Sequence, residues 1–329
     1  MRVLVTGAAG YIGNKLVHSL AARGMQVRAL IRAGDAKKLF CHPNIAAFIG
    51  DAREEDCVAR AVEGCTQVYH VAAKVGAWAK NPFDFYDVNV EGTRKLLNAA
   101  VRAGVEKFVF TSTIGVFGPT DKLPITERDV RKIPFQIDYD RSKKMAEDVV
   151  LRYAGKGISA VIVSPSRVYG PGRTSSHLAA NAIIDTFLRK RVTFIPYPGT
   201  YKLCFAFVDD VVNGHVLAME KGRPGETYIL GGINISYFDF FDRILSLSKC
   251  KGRIIALPKR FVKLLAHLQQ LNHKLTGTAV RFPVNSVDLA FSNYTFSSQK
   301  AIDELGYQIT PLDEALIQTI QFLKNGTNE

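Results

Sequence analysis

The 329-residue sequence contains few of the residues that build disulfide frameworks or metal centres. Its five cysteines are Cys41, Cys57, Cys65, Cys204 and Cys250; they form no C-x-x-C pair and show no ligand-like spacing to the seven histidines. Secreted disulfide scaffolds and zinc sites depend on such patterns. We therefore expect reduced, mostly buried thiols and no metal site.

The sequence also lacks any apolar run of the ~20 residues that a membrane-spanning helix needs. A strand-like segment begins at residue 2, which leaves no room for a targeting peptide before it. We expect a cytoplasmic protein.

Acidic residues are missing from one part of the chain. The formal net charge is +13, and no Asp or Glu lies between Arg243 and Arg281. We find no nucleic-acid-binding motif there and expect no nucleic-acid partner. Within 258–275, apolar residues at helical spacing predict an amphipathic helix with basic residues largely off its apolar face. Such a helix can lie peripherally on an anionic membrane, although packing of the apolar face onto the protein is the more ordinary outcome.

The first thirteen residues, MRVLVTGAAGYIG, predict a buried strand, a glycine turn and a helix. Gly7, Gly10 and Gly13 permit a tight turn and let backbone amides approach a pyrophosphate at the positive end of the helix. Tyr11 and Ile12 open that helix. We expect all five residues to contact a dinucleotide.

The end of the second predicted strand, 26–32, bears on the choice of cofactor. An acidic residue there usually binds the ribose 2′-hydroxyl of NAD, whereas a 2′-phosphate is bound by arginine. This chain has Arg32, then Lys37 and Lys38, and no acid before Asp35. NADP(H) is favoured, and NAD(H) is the alternative.

Two further predicted strands, 45–49 and 67–73, end in candidate cofactor contacts. Asp51 and Ala52 follow the first of them, and the Asp51 carboxylate is expected near the adenine amino group. Small side chains at the end of the second leave space for the cofactor to cross the strand; they belong to Val71, Ala72 and Ala73.

The segment after the fourth strand is a candidate wall of the substrate pocket. It begins at Lys74 and holds Trp78, the single tryptophan of the chain. Aromatic residues are unusual in a plain connector. The alternative is that Trp78 and Phe83 only pin the loop. A long helix, 87–105, is predicted next.

The fifth predicted strand, 107–111, ends in hydroxyl residues. Such groups point into the ligand crevice of an open parallel sheet. Thr111 is assigned to the cofactor and Thr113 to the substrate oxygen, with Ser112 as a weaker candidate. Val116 and Phe117, just beyond, are assigned to an apolar substrate.

Tyr139 and Lys143 are four residues apart at the start of a predicted helix, so they share one face. A neighbouring ammonium favours the phenolate and is expected to lower the tyrosine pKa. Such a tyrosine passes its proton to a carbonyl oxygen as hydride arrives at the carbon.

These motifs together resemble the extended short-chain dehydrogenase/reductases: TGAAGYIG, GDA at 50–52, HVAA at 70–73, NVEGT at 89–93, TST at 111–113, YDRSK, and PSRVYGPG at 165–172. The branch with dihydroflavonol 4-reductases, 3β-hydroxysteroid dehydrogenases and hopanoid-associated sugar epimerases is the most similar. The resemblance implies that Tyr139 is the acid/base, that Lys143 binds the nicotinamide ribose and lowers the Tyr139 pKa, and that Asn89 supports the site. It also assigns Pro165, Ser166 and Val168 to the cofactor and Tyr169 and Arg173 to the substrate.

The resemblance implies an α/β fold with a doubly wound parallel sheet (Rossmann) and a smaller, sequence-discontinuous C-terminal lobe. We expect the dinucleotide-binding domain to take 1–165 and 205–230, and the substrate lobe to take 166–204 and 231–329. Family members often dimerise through two long helices, so a homodimer is expected.

Three functions compete. The first is NADPH-dependent reduction of an apolar ketone, or the reverse oxidation. The second is a nucleotide-sugar epimerase or dehydratase that retains NAD; Arg32 and Arg167 count against it. The third is a silent dinucleotide-binding regulator, which is disfavoured because Tyr139 and Lys143 are both present.

Overall fold

The computed structural model describes residues 1–38, 42–120, 123–172, 179–278, 280 and 283–325. Cys41 and Arg173 lie outside the described residues.

Seven parallel strands form the central sheet, as the sequence predicts. Their order is β10-β6-β5-β4-β1-β2-β3, so the strand order reverses between β1 and β4. Ligands of open α/β sheets bind at such a reversal, beyond the carboxyl ends of the strands. The strands are β1 Arg2–Thr6, β2 Gln26–Ile31, β3 Ile45–Ile49, β4 Gln67–His70, β5 Lys107–Thr111, β6 Ser159–Pro165 and β10 Thr227–Leu230.

Helices cover both faces of this sheet. Helices α1 and α7 bury one apolar cluster with the strands, and α2, α4 and α5 bury a second on the opposite face. Burial on both sides explains the almost wholly apolar strands. The helices are α1 Tyr11–Ala22, α2 Glu55–Val62, α3 Phe83–Tyr86, α4 Gly92–Arg102, α5 Asp138–Tyr153, α6 Ala179–Lys190, α7 Val208–Lys221, α8 Tyr237–Ser248, α9 Lys259–Thr276, α10 Val284–Ala290, α11 Gln299–Leu305 and α12 Leu312–Asn325.

Two small sheets lie outside the large one. One has the order β11-β9-β7 and the other pairs β8 with β12. Their aromatic core includes the ring of Phe240, stacked on Phe205 with centroids 3.9 Å apart. The strands are β7 Arg167–Tyr169, β8 Val192–Pro196, β9 Lys202–Phe207, β11 Ile233–Ser236 and β12 Arg253–Leu257.

The helix observed in the region 87–105 differs from the predicted one in two ways. It begins earlier, with α3, and ends at Arg102 before Gly104 turns the chain with φ +70°. Residues 87–91 form one π-helical turn between α3 and α4. Such widened turns are frequent at functional sites, and this one carries Asn89.

Helix α9 does not pack its leucine-rich side onto the protein, so the expectation that this apolar face packs onto the rest of the chain is wrong. Of its residues only Ala266 is fully buried. The described helices include none with the length and apolarity needed to cross a membrane.

Candidate active site

The turn from β1 into α1 fits a pyrophosphate. Gly7 has φ +67°, and a Cβ on it would lie 2.6 Å from the Ala72 backbone nitrogen. A Cβ on Gly13 would collide with the Gly7 carbonyl oxygen. The α1 N-cap, Gly10, has no side chain, and no acidic residue occupies the first turn. The turn therefore lies close to the end of β4 and leaves backbone amides open to an anion.

Arg32 and Asp51, both predicted to contact the nucleotide, each form an ion pair within the protein. Arg32 is exposed and donates to the Asp35 carboxylate from Nε at 3.2 Å and from a terminal nitrogen at 3.1 Å. The Asp51 carboxylate accepts from the Arg53 guanidinium at 3.0 and 2.7 Å. These hydrogen bonds hold the pKa of Asp51 below its usual range. Ala52 is half-buried beside it.

A buried hydrogen-bond chain fixes the carboxyl ends of β1 and β4. Thr93 donates to the Asn89 carbonyl at 2.6 Å and accepts from His70 Nε2 at 2.9 Å. His70 Nδ1 then accepts from the Thr6 hydroxyl at 2.7 Å, and that oxygen accepts from the Ala72 amide at 3.2 Å. Burial lowers the pKa of His70 to about 3. The imidazole is neutral and holds the segment 71–73 in place.

Asn89 joins the segment after β4 to the helix that carries Tyr139. Its side chain accepts from the Lys74 amide at 2.7 Å and donates to the Lys74 carbonyl at 3.1 Å. It also donates to Ser142 Oγ at 2.8 Å, and that hydroxyl donates to the Tyr139 carbonyl at 2.8 Å. The Asn89 side chain therefore links the segment after β4 to α5, and the widened turn places it there.

Tyr139 and Thr113 meet at the end of β5. The Thr113 side chain lies beside the Tyr139 phenol, and its Oγ accepts from the Gly115 amide at 3.1 Å. Burial raises the pKa of Tyr139 above its ordinary value of 10, and the Asp140 charge adds to the rise. The prediction of a lowered pKa is therefore wrong for this structure, and the phenol is protonated at neutral pH.

Lys143 is buried, and its pKa is lowered towards neutral pH. Its Nζ lies 3.9 Å from the centroid of the Phe110 ring. Burial lowers the pKa of Lys143 to about 7, and the Glu147 carboxylate opposes that shift. Ser112 donates to Glu147 at 2.5 Å, so its hydroxyl is engaged away from Tyr139. This geometry favours Thr113 over Ser112 as the substrate-binding hydroxyl.

The sequence interpretation gave no role to Asp140, which is buried next to Tyr139. Burial raises the pKa of Asp140 to about 6, while the cations of Arg131 and Arg167 lower it. Arg131 donates to the Gly115 carbonyl at 2.6 Å. The position of Asp140 inside YDRSK was the only available signal, and an acid in a first helical turn is ordinary.

The segment 165–172 lies against the glycine turn. The Tyr11 hydroxyl donates to the Gly170 carbonyl at 2.6 Å and accepts from Asn181 at 3.1 Å. Pro165 and Ser166 are buried and Val168 is half-buried. Tyr169 is buried in the aromatic core against Phe205, Phe207 and Phe240, so its ring is a packing element.

The loop after β4 borders a cleft beside the start of α5. The cleft has a volume of about 160 Å³ and is lined by residues that include Trp78, Asp138 and Gln270. The Trp78 ring meets His273 edge-on, with centroids 5.1 Å apart. Phe83 is 75% exposed and does not pin the loop.

Three other residues predicted to contact substrate or cofactor, Val116, Phe117 and Thr111, are engaged within the protein. Val116 is buried, and Phe117 packs edge-on against Phe296 with centroids 6.2 Å apart. The Thr111 hydroxyl is engaged by His215 Nε2 at 2.9 Å. Because His215 Nδ1 lies 2.7 Å from the Val211 carbonyl, Nδ1 carries the proton and Nε2 accepts from Thr111.

We expect acid to destabilise the fold through His215. Burial lowers its pKa to about 4, so between about pH 6.5 and 4 the unfolded chain binds a proton that the folded chain does not. The stability contributed by this group is therefore full above pH 6.5 and lost as pH falls. Because His70 is also buried and neutral, both the wild type and His215→Gln should lose stability in urea unfolding between pH 7 and pH 5, but the loss should be about 2 kcal/mol smaller in His215→Gln. An equal loss in both proteins would contradict the assignment.

Comparison with known proteins agrees with this geometry. The model of the NAD dependent epimerase/dehydratase family matches residues 3–231. A sterol demethylase protein B of Methylococcus capsulatus is 30% identical over 328 residues, covering 98% of this chain and 98% of that protein. A 3-beta-hydroxysteroid dehydrogenase of Mycolicibacterium neoaurum is 30% identical, covering 93% of this chain and 87% of that protein. The crystal structure of gox2253 superimposes with a TM-score of 0.83 at 31% identity, covering 99% and 98% of the two chains.

The fold and these matches define an extended short-chain dehydrogenase/reductase, which confirms the resemblance in the sequence. The chain belongs to the NAD dependent epimerase/dehydratase family. It is an enzyme of the NAD(P)-dependent oxidoreductase class.

Proposed function

We propose that this enzyme uses NADPH to reduce a ketone of a largely apolar substrate to a secondary alcohol. The observation that carries the proposal is the closeness of the Tyr139 phenol to the Thr113 hydroxyl at the end of β5. Both groups lie at the edge of the sheet where ligands of this fold bind. A protonated phenol next to a second hydroxyl is suited to receive a carbonyl oxygen.

The cofactor would be held along the carboxyl ends of β1 to β6. The glycine turn and the start of α1 would bind the pyrophosphate, and Asp51 and Ala52 would lie at the adenine. When bound, the nicotinamide supplies the hydride. Lys143 would bind the ribose of the nicotinamide. The other assigned contacts are Tyr11, Ile12, Val71, Ala72, Ala73, Thr111, Pro165, Ser166 and Val168.

In reduction, the residues of this chain orient the carbonyl and move one proton. Thr113 would donate a hydrogen bond to the carbonyl oxygen, and Tyr139 would give that oxygen its proton as hydride reaches the carbon. Asn89 would hold the Tyr139 backbone through Ser142. The raised pKa of Tyr139 favours this direction, because the phenol already carries the proton that reduction consumes.

An apolar substrate is supported by the cleft wall and by the relatives. Trp78 and the flanking Ala77 and Ala79 line the cleft. Two of the similar proteins carry sterol or steroid names. We propose that the substrate lies between the sheet and the lobe formed by 166–204 and 231–329, with Lys74 at the loop and Arg173 as a further candidate contact.

The NADPH preference rests on Arg32. We expect Arg32→Ala to weaken NADPH binding about 10- to 100-fold, because a charge-assisted hydrogen bond to the 2′-phosphate is lost. NADH binding should be unchanged. Calorimetric titration of nucleotide-free protein measures both affinities.

Arg102→Ala is the matched control, because Arg102 is also exposed and paired with one carboxylate, that of Glu55. It should leave both affinities unchanged. Equal weakening of NADPH and NADH in Arg32→Ala, or tighter NADH binding by the wild type, would contradict the NADPH assignment.

The second candidate is a nucleotide-sugar epimerase or dehydratase with retained NAD. The family description favours it. Arg167 counts against it by its place in the motif, but an arginine near Asp140 could still meet a substrate diphosphate. NAD that stays bound through purification would support this candidate over the reductase.

The homodimer expected from the family stays a proposal. Met145 and Leu151 on α5 are exposed apolar side chains, as an interface through α4 and α5 would require.

A further inference from the structure

Helix α9 presents a continuous apolar surface to solvent. The surface, called here the leucine face, consists of Phe261, Leu264, Leu265, Leu268, Leu271 and Leu275, each between 46% and 78% exposed. Their spacing of three and four residues places them along one side of the 18-residue helix. A soluble monomer rarely exposes so many contiguous large apolar side chains.

The leucine face is not the side by which α9 is anchored. Val262 and Ala266, four residues apart on another side, pack with Val287 and Phe291 in a small apolar cluster. Lys259 and Lys263 make ion pairs with Asp288 of α10 at 2.8 and 3.0 Å. The helix is therefore held from one side and leaves the other side uncovered.

Basic residues flank the leucine face. Arg260, His267 and Lys274 are spaced by seven residues, so they form one line along the helix. Arg260 and Lys274 have no carboxylate partner among the residues that the structure describes. The sequence from 243 to 281 contains no acidic residue that would oppose a negative surface.

We propose that α9 docks this enzyme peripherally onto an anionic membrane surface, with the leucine face among the acyl chains and the basic line at the headgroups. An amphipathic helix lying in the membrane plane has this combination of an apolar side and cationic edges. The charge complementarity favours anionic lipid over a second copy of this chain, because two copies of the basic line would repel each other.

The docked helix would lie beside the candidate active site. Gln270 of α9 lines the cleft next to Asp138, the residue before Tyr139, and His273 contacts Trp78. A lipid-like ketone could then pass from the bilayer into the cleft. This delivery step rests on the proposed function, whereas docking does not.

The test is co-sedimentation of the full chain with phosphatidylcholine vesicles, with and without phosphatidylglycerol, in the absence of substrate. We expect binding to the anionic vesicles that weakens as salt rises. Leu264→Glu/Leu268→Glu should reduce the partition coefficient at least about tenfold. Arg260→Glu/Lys274→Glu should remove the preference for anionic lipid. Ile317→Glu, an exposed apolar position on α12, is the matched control and should bind as the wild type does.

Each variant is first checked for an unchanged circular dichroism spectrum and NADPH affinity. No wild-type binding to anionic vesicles at low salt, or equal binding by the leucine variant, would overturn docking. A vesicle-free wild-type dimer that Leu264→Glu/Leu268→Glu converts to a monomer would instead make the leucine face a self-association surface. An enzyme that reduces no ketone yet binds anionic vesicles would contradict the proposed function and leave docking supported.

Discussion

Tyr139→Phe is expected to lower kcat for ketone reduction by about 10²- to 10⁴-fold, the range that general acid catalysis contributes. The substitution removes only the phenol oxygen, which carries the transferred proton and faces Thr113. The ring and its burial are kept. NADPH affinity should therefore change little, and the loss should appear in kcat and in kcat/KM alike.

Tyr153→Phe is the control for this experiment. Tyr153 ends the same helix, and its hydroxyl donates to Asn98 at 2.5 Å. That variant should keep full turnover. Wild-type turnover in Tyr139→Phe would remove Tyr139 from the role of acid.

Lys143→Met is expected to lower kcat to a comparable extent and also to weaken NADPH binding. Methionine fills the space of the lysine stem against Phe110 but cannot bind the ribose or place a charge near Tyr139. Steady-state kinetics and calorimetric titration separate the two effects. Lys144→Met is the control, because Lys144 is the half-buried neighbour paired with Glu147 and Asp148. It should retain activity and affinity.

Lys143→Met should also change how the free energy of unfolding depends on pH. The pKa of Lys143 is about 7 in the fold against an ordinary 10.5, so the unfolded chain binds more protons between these values. Wild-type stability should rise with pH across this window, and Lys143→Met should lack that rise and be more stable near pH 7. A Lys143→Met protein that is less stable at pH 7 than the wild type would contradict a buried lysine whose pKa is about 7.

Local patterns in the sequence were enough for the sheet and the glycine turn. Strand β5 occurs at the predicted residues 107–111, and Gly7 takes the positive φ that a tight turn into α1 requires. These features depend on neighbours in the chain: an apolar run, a glycine spacing, and the four-residue step from Tyr139 to Lys143. A sequence displays such relations directly.

The parts that were missed depend on contacts between distant segments. Asn89 was assigned to support the site, but its hydrogen bonds to Lys74 and Ser142 come from a helical turn whose widening has no local sequence signal. The Tyr139 pKa rises because of tertiary burial, to which the charge of Asp140 adds. Tyr169 was assigned to the substrate, but its ring packs in an aromatic core. Neighbouring residues of a strand face opposite sides, so Tyr169 points away from the side of Val168.

Helix α9 is a further feature that depends on contacts between distant segments. Periodicity predicted its apolar side, but only the positions of α10 and the cleft decide which side is covered. The leucine face is uncovered because Val262 and Ala266 already use the contact with the protein.

The most direct test of the proposed function follows deuterium from NADPH labelled at its transferable hydride into a panel of steroid-like and isoprenoid ketones. We expect one deuterium in each alcohol formed and one oxidised cofactor released for each product molecule. Conversion of a nucleotide sugar with retained NAD and no net change in cofactor redox state, together with no label in any ketone product, would contradict the reductase and establish the epimerase alternative.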